Sequence, residues 1–115
     1  MKKVLWFSRH APTAAQLAEI ASNGEEIAAI SDGQALGNRV INDDADRCSV
    51  VTALRELATL HAARSIYGVF ATPVLESAIA DETGICLLSA WNIQRCVEGG
   101  KLTFEHKKFC VVGWL

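Results

Sequence analysis

The sequence predicts an α/β sandwich whose sheet is mostly parallel and carries an antiparallel hairpin at its C-terminal edge. Three observations lead there. KVLWF (residues 3–7) and the run from Ile66 to Ala71 are continuous, β-prone and apolar, which suits strands covered on both faces. Each run leads into a helix start, at Thr13 and at Thr72-Pro73. The pair Gly99-Gly100 separates two further β-prone stretches as a primed hairpin turn does.

The elements follow in order. After the first strand, Thr13 and Gln16 have capping-box spacing, so a helix begins there, with Leu17, Ile20 and Ala21 as its apolar stripe and Asn23-Gly24 as its stop. A short strand is expected at Ile27 to Ile30. Gly33, Gly37, Asn38 and Asn42 then read as a loop, leaving residues 31–46 without an assigned element. The acidic run Asp43, Asp44, Asp46 suits a helix cap and a negatively charged first turn. Val50, Leu54, Leu57, Ala58 and His61 recur at helical spacing and predict a helix to about Ala63. The second buried strand, a helix from Pro73, a strand at Gly84 to Ser89 and the hairpin into KLTFEH and FCVVGWL complete a β-α-(β)-α-β-α-β-β order without internal repeat.

The chain of 115 residues matches one domain, 1–115, able to bury a core. Half of its residues are hydrophobic and 21% are charged, a globular composition. Mean hydropathy of +0.20 is high for so small a chain, and three Trp and four Phe need cover, so a homodimer is expected. The net charge of −2 excludes a basic face for duplex nucleic acid. The apolar run Val4–Phe7 is too short for a signal core or a membrane span, which points to a cytoplasmic protein without a membrane partner. Cys48, Cys86, Cys96 and Cys110 have no ligand-like spacing and read as reduced core residues, with no metal site and no cofactor motif.

Ligands of parallel α/β sheets bind beyond the carboxyl ends of the strands, where helix N-termini converge. SRHAPTAAQ (8–16) lies at such an end. Ser8 suits a hydrogen bond to phosphate, Arg9 a forked contact, and His10 proton transfer. Thr72 takes the equivalent place after the neighbouring strand. His61 is explained by packing on its helix, and His106, in a polar EHKK turn, is expected to face water. Asn92 follows a strand end and suits a base contact, while Trp91 beside it suits core packing.

RHAPT after an apolar strand resembles the RHG motif of the histidine phosphatase superfamily, which would make His10 a phosphoryl acceptor. The strand that would carry that family's second histidine reads SIYGVFATP and has none. The wider pattern, a strand running into S-R-H-x-x-T-x-x-Q and later a Gly-containing strand leading into T-P, resembles the small CARF-like (CRISPR-associated Rossmann fold) ring nucleases. The likeness covers about the first 20 residues and, more loosely, residues 64–80. It implies a Rossmann-like homodimer that binds or cleaves a small phosphodiester nucleotide, of the cyclic oligoadenylate type, without a metal. His10 would then be the acid, Arg9 would stabilise phosphate charge, and Ser8 and Thr13 would orient phosphate oxygens; Thr72 and Asn92, from their places at strand ends, are the further candidate contacts to a substrate. The competing expectation is a non-enzymatic interaction protein of a mobile element, with the last strand and Trp114 as its dimer face.

Overall fold

The computed structural model describes residues 1–70, 72–96, 99–100 and 102–112. The expected strand end at Ala71 and the expected interface residue Trp114 therefore lie outside the described residues. The strands are β1 (Lys2–Phe7), β2 (Glu25–Ile27), β3 (Ser65–Gly68), β4 (Cys86–Cys96) and β5 (Leu102–Val111). The helices are α1 (Ala14–Ser22), α2 (Ile30–Gly37), α3 (Asp44–His61) and α4 (Pro73–Thr83). The sheet order is β2-β1-β3-β4-β5, parallel throughout except for β5, which runs antiparallel to β4. The expected α/β sandwich with an antiparallel C-terminal edge is thus the observed fold, and Gly99 and Gly100 both take the positive φ of a primed turn (93° and 76°).

β1 is buried from Val4 to Phe7 because both of its faces are covered. Leu5 and Phe7 join Val50 and Leu54 of α3 and Ile79 of α4 in one core. Val4 and Trp6 join Ile20 of α1, Tyr67 and Phe109 in the other. α1 therefore packs on one side of the sheet and α3 and α4 on the opposite side.

Local chemistry sets the helix ends. Thr13 caps α1 as expected: its hydroxyl accepts from the Gln16 amide at 3.2 Å, and the Gln16 side chain accepts from the Thr13 amide at 2.9 Å. That return contact draws Gln16 inward, so Gln16 and Ile20 form the buried face, and Leu17, expected in the stripe, is 42% exposed. Asp43 caps α3 by accepting from the Asp46 amide at 2.8 Å. Thr72 and Pro73 open α4 as expected.

The expected loop after residue 31 is instead helix α2, and the preceding strand ends at Ile27, not Ile30. Beyond Val4 the outer edge of β1 has no strand partner among the described residues, and α2 covers it. A Cβ at Gly33 would stand 1.8 Å from the Trp6 carbonyl oxygen, and one at Gly37 would stand 2.4 Å from the Ser8 carbonyl carbon. The glycines that suggest a loop are there to let a helix lie against strand backbone.

The sheet is curled. Neighbouring strands stand about 4.8 Å apart, so a flat sheet would hold β1 and β5 roughly 14 Å from each other. The rings of Trp6 and Phe109 nevertheless lie 6.4 Å apart, and those of Tyr67 and Phe109 4.9 Å. The curl brings β5 onto α1 and corrects the expectation for His106. Its side chain is only 5% exposed and pairs with Glu19 at 2.9 Å, while the other Glu19 oxygen accepts from the Phe109 amide at 2.9 Å. Trp91, expected in the core, is 49% exposed with Lys108 over its ring. Cys48 and Cys110, also expected inside, are exposed, and Cys86 is half-buried. Cys48 stands on an exposed flank of α3 and Cys110 on an exposed face of β5.

Tyr67 ties this curled side together. Its hydroxyl donates to Glu25 at 2.5 Å and accepts from Asn23 at 3.2 Å. Burial, followed by the hydrogen bond to Glu25, pushes the phenol up to about 12 from its usual 10. The folded state therefore holds the Tyr67 proton more tightly than the unfolded chain does. Its stabilisation is complete below pH 10 and disappears as the pH rises from 10 to 12. Urea midpoints followed upward from pH 9 should fall more steeply for the wild type than for Tyr67→Phe. Equal slopes would contradict this role for the phenol.

Candidate functional site

α1 leaves the end of β1 on one face of the sheet and α4 leaves the end of β3 on the other, although β1 and β3 are neighbours. Connections that diverge in this way open a crevice beyond the two strand ends. The crevice is present, with a volume of about 670 Å³. Its floor and one wall are apolar, made by Phe7, Val69, Phe70 and residues of α4. The Phe7 and Phe70 rings are stacked 5.3 Å apart at an interplanar angle of 12°.

Ser8, Arg9, His10 and Thr72 all line this cleft. Thr13 and Asn92 do not. The Thr13 hydroxyl is engaged in the α1 cap, and Asn92 sits on β4 opposite His106. The cleft therefore lies beyond the ends of β1 and β3 and takes in Ser8, Arg9 and His10 of the turn after β1.

The loop that carries His10 is held from two sides. Its carbonyl accepts from the buried Trp6 indole at 2.8 Å, and its amide donates to the Ser8 hydroxyl at 3.2 Å. Ser8 is itself buried, so its oxygen serves the loop as well as the cleft wall. With the main chain fixed on both sides, the imidazole of His10 and the guanidinium of Arg9 project from an anchored turn. Both residues are exposed, and neither side chain makes a hydrogen bond or ion pair among the described residues.

Residues 37–47 supply the opposite wall, including Arg39, Asn42, Asp43, Asp44 and Arg47. Arg47 is committed: it bonds Glu82 at 3.1 Å and Asp44 at 2.5 Å, and these contacts, Glu82 first, raise its pKa. Among the described residues the Arg39 side chain donates to the neutral Ser49 hydroxyl alone, at 3.0 Å, and keeps its charge available. Asp43 spends one oxygen on its cap. The cations open to a ligand are thus Arg9 and Arg39, on opposite walls. Thr72 also spends its hydroxyl on a cap, accepting from the Leu75 amide at 3.1 Å, and so reaches the cleft as the start of α4. This arrangement suits an anionic group between the arginines and a flat ring over the paired phenylalanines.

Arg39 and Asn42 were not singled out from the sequence. They lie in the stretch that offered no periodicity, and only the folding of α2 along β1 brings them beside Ser8. No protein-family model matches this chain, and no curated protein or solved structure matches it either.

Proposed function

We propose that the cleft binds a small phosphodiester nucleotide, of the cyclic oligoadenylate type, and cleaves it. The observation that carries this reading is the pair Arg9 and His10, side by side on an anchored turn at the β1–β3 crevice and uncommitted to other side chains. Phe70, half-buried and backed by the buried Phe7 ring, supplies a surface for a base, and Arg39 supplies a second contact for phosphate.

The chemistry needs little beyond positioning. The 2′-oxygen of a ribose attacks the adjacent phosphorus in line and gives its proton to water. The new 2′-O–P bond closes a 2′,3′-cyclic phosphate as the P–O5′ bond breaks, and the leaving 5′-oxygen takes its proton from His10. Arg9 stabilises the charge that accumulates on the phosphate oxygens. The protein works as a homodimer, and its unpaired thiols, Cys48, Cys86 and Cys110, suit a reducing cytoplasm.

The test is a thermal-shift screen with nucleotides, inorganic phosphate and cyclic oligoadenylates, followed by calorimetry. A true ligand at a hundred times its Kd stabilises the fold by about 2.7 kcal/mol. Arg9→Ala should weaken that ligand about 10- to 100-fold, the value of one charge-assisted hydrogen bond. A ligand that binds Arg9→Ala as tightly as the wild type, or silence across the whole screen, would refute the proposal. Silence would favour a purely interacting protein, for which the exposed apolar side chains Leu60, Val74 and Trp91 would be the contact points.

A further inference from the structure

On the far side of α2 from β1, a groove of about 340 Å³ runs between α2 and α3. Only residues 38–43 join the two helices, and Arg39, just past the end of α2, bonds Ser49 in the second turn of α3. Asp32, Ala35 and Leu36 of α2, with Arg39 just beyond its end, face a stripe of α3 spaced i, i+3, i+4, i+7 from residue 53. The seam is apolar, made by Ala35 and Leu36 facing Ala53, Leu57 and Leu60. Leu60 is 75% exposed, an unusual position for a leucine at the mouth of an apolar groove.

The charges on the rim have a pattern. Asp32 and Glu56 are exposed carboxylates that make no hydrogen bond or ion pair among the described residues. Arg39 lies at the opposite end, with a neutral hydroxyl as its one side-chain partner among the described residues. Arg39 and the two carboxylates stand at opposite ends of the seam, so a two-fold rotation of a second copy sets each arginine against a carboxylate and each seam against the other. We infer that the groove is a self-association surface in which α2 of one protomer lies over α3 of its partner. Leu60 packs on the partner's exposed Ala35, and Arg39 meets the partner's Glu56. Arg39 lines both the groove and the cleft, so a ligand that engages it alters assembly, and assembly alters ligand affinity by the same factor.

Sedimentation velocity on the full chain across the micromolar range tests this. The wild type should sediment as a dimer, and Leu60→Glu as a folded monomer. Arg39→Glu and Glu56→Arg should each weaken the dimer at least about tenfold, since each sets like charges against each other twice. An equimolar mixture of those two variants should recover the dimer, because both cross-interface pairs are then of opposite sign. A contact within one chain cannot produce that recovery. A wild type that is monomeric throughout, a Leu60→Glu variant that folds and remains dimeric, or a mixture no heavier than its components would each overturn the inference. If Leu60→Glu fails to fold, the mixing experiment still decides.

Discussion

Gly33→Ala should destabilise the protein by about 2 kcal/mol or more, lowering Tm by roughly 10 °C. An exposed helical glycine changed to alanine would do the opposite, gaining about 1 kcal/mol from helix propensity. Position 33 reverses the sign because the new methyl would sit 1.8 Å from the Trp6 carbonyl oxygen and 2.7 Å from its carbon. A flexible side chain can rotate away from such a contact, but the backbone of a buried strand cannot. The cost is wholly steric, since Gly33 is not in the positive-φ region. α2 must therefore lift from β1, which uncovers the strand edge beside Trp6, the residue that holds the His10 carbonyl. Gly24→Ala is the control: nothing lies within 4 Å of its Cβ position, and its φ of 74° alone predicts a loss of about 1 kcal/mol. Thermal denaturation followed by circular dichroism separates the cases. A Gly33→Ala variant more stable than wild type would mean that α2 does not rest on β1.

The same glycines show why part of the fold was legible in the sequence and part was not. KVLWF and the Thr13–Gln16 box act through neighbours a few residues away, so composition and spacing were enough to place β1 and the start of α1. α2 depends on a distant partner. It has no side-chain cap, it starts from Ala29 in a left-handed conformation (φ 54°), and two of its eight residues are glycine. Only contact with β1 makes a helix of that segment. His106 shows the same limit from the other side. EHKK is polar enough to read as a turn, but the curled sheet carries this strand onto Glu19, 87 positions earlier in the chain. Trp91 fails in the reverse sense, since an aromatic residue on a strand suggests burial while no described element covers that stretch of β4. In the candidate site, Ser8, Arg9 and His10 were visible because a strand end is a local feature. Arg39 and Asn42 were not, because their place depends on β1 lying beside β3 and on α2 following the edge of β1.

His10→Ala should lower the cleavage rate of a bound cyclic oligoadenylate by about 10²- to 10⁴-fold, the range for loss of a positioned general acid. Its effect on binding should be far smaller, since Arg9, Arg39 and the phenylalanine floor remain. His10 is exposed and its ring has no partner among the described residues, so the substitution should change folding stability by no more than about 0.5 kcal/mol. A fall in activity at constant Tm then reports chemistry and not damage to the fold. Ser8→Ala refines the point. It removes the oxygen that accepts from the His10 amide and leaves the imidazole in place but less firmly aimed. The expected result is a lower kcat with KM nearly unchanged, because orientation of the acid matters at the transition state more than in the ground state. Single-turnover assays with a cyclic oligoadenylate that passes the thermal-shift screen give both numbers. If His10→Ala cleaves at the wild-type rate, the imidazole is not the acid. If the wild type binds the nucleotide but leaves it intact, the cleft is a binding site alone. Arg9 would then hold phosphate, and the anchored turn would serve recognition in place of catalysis.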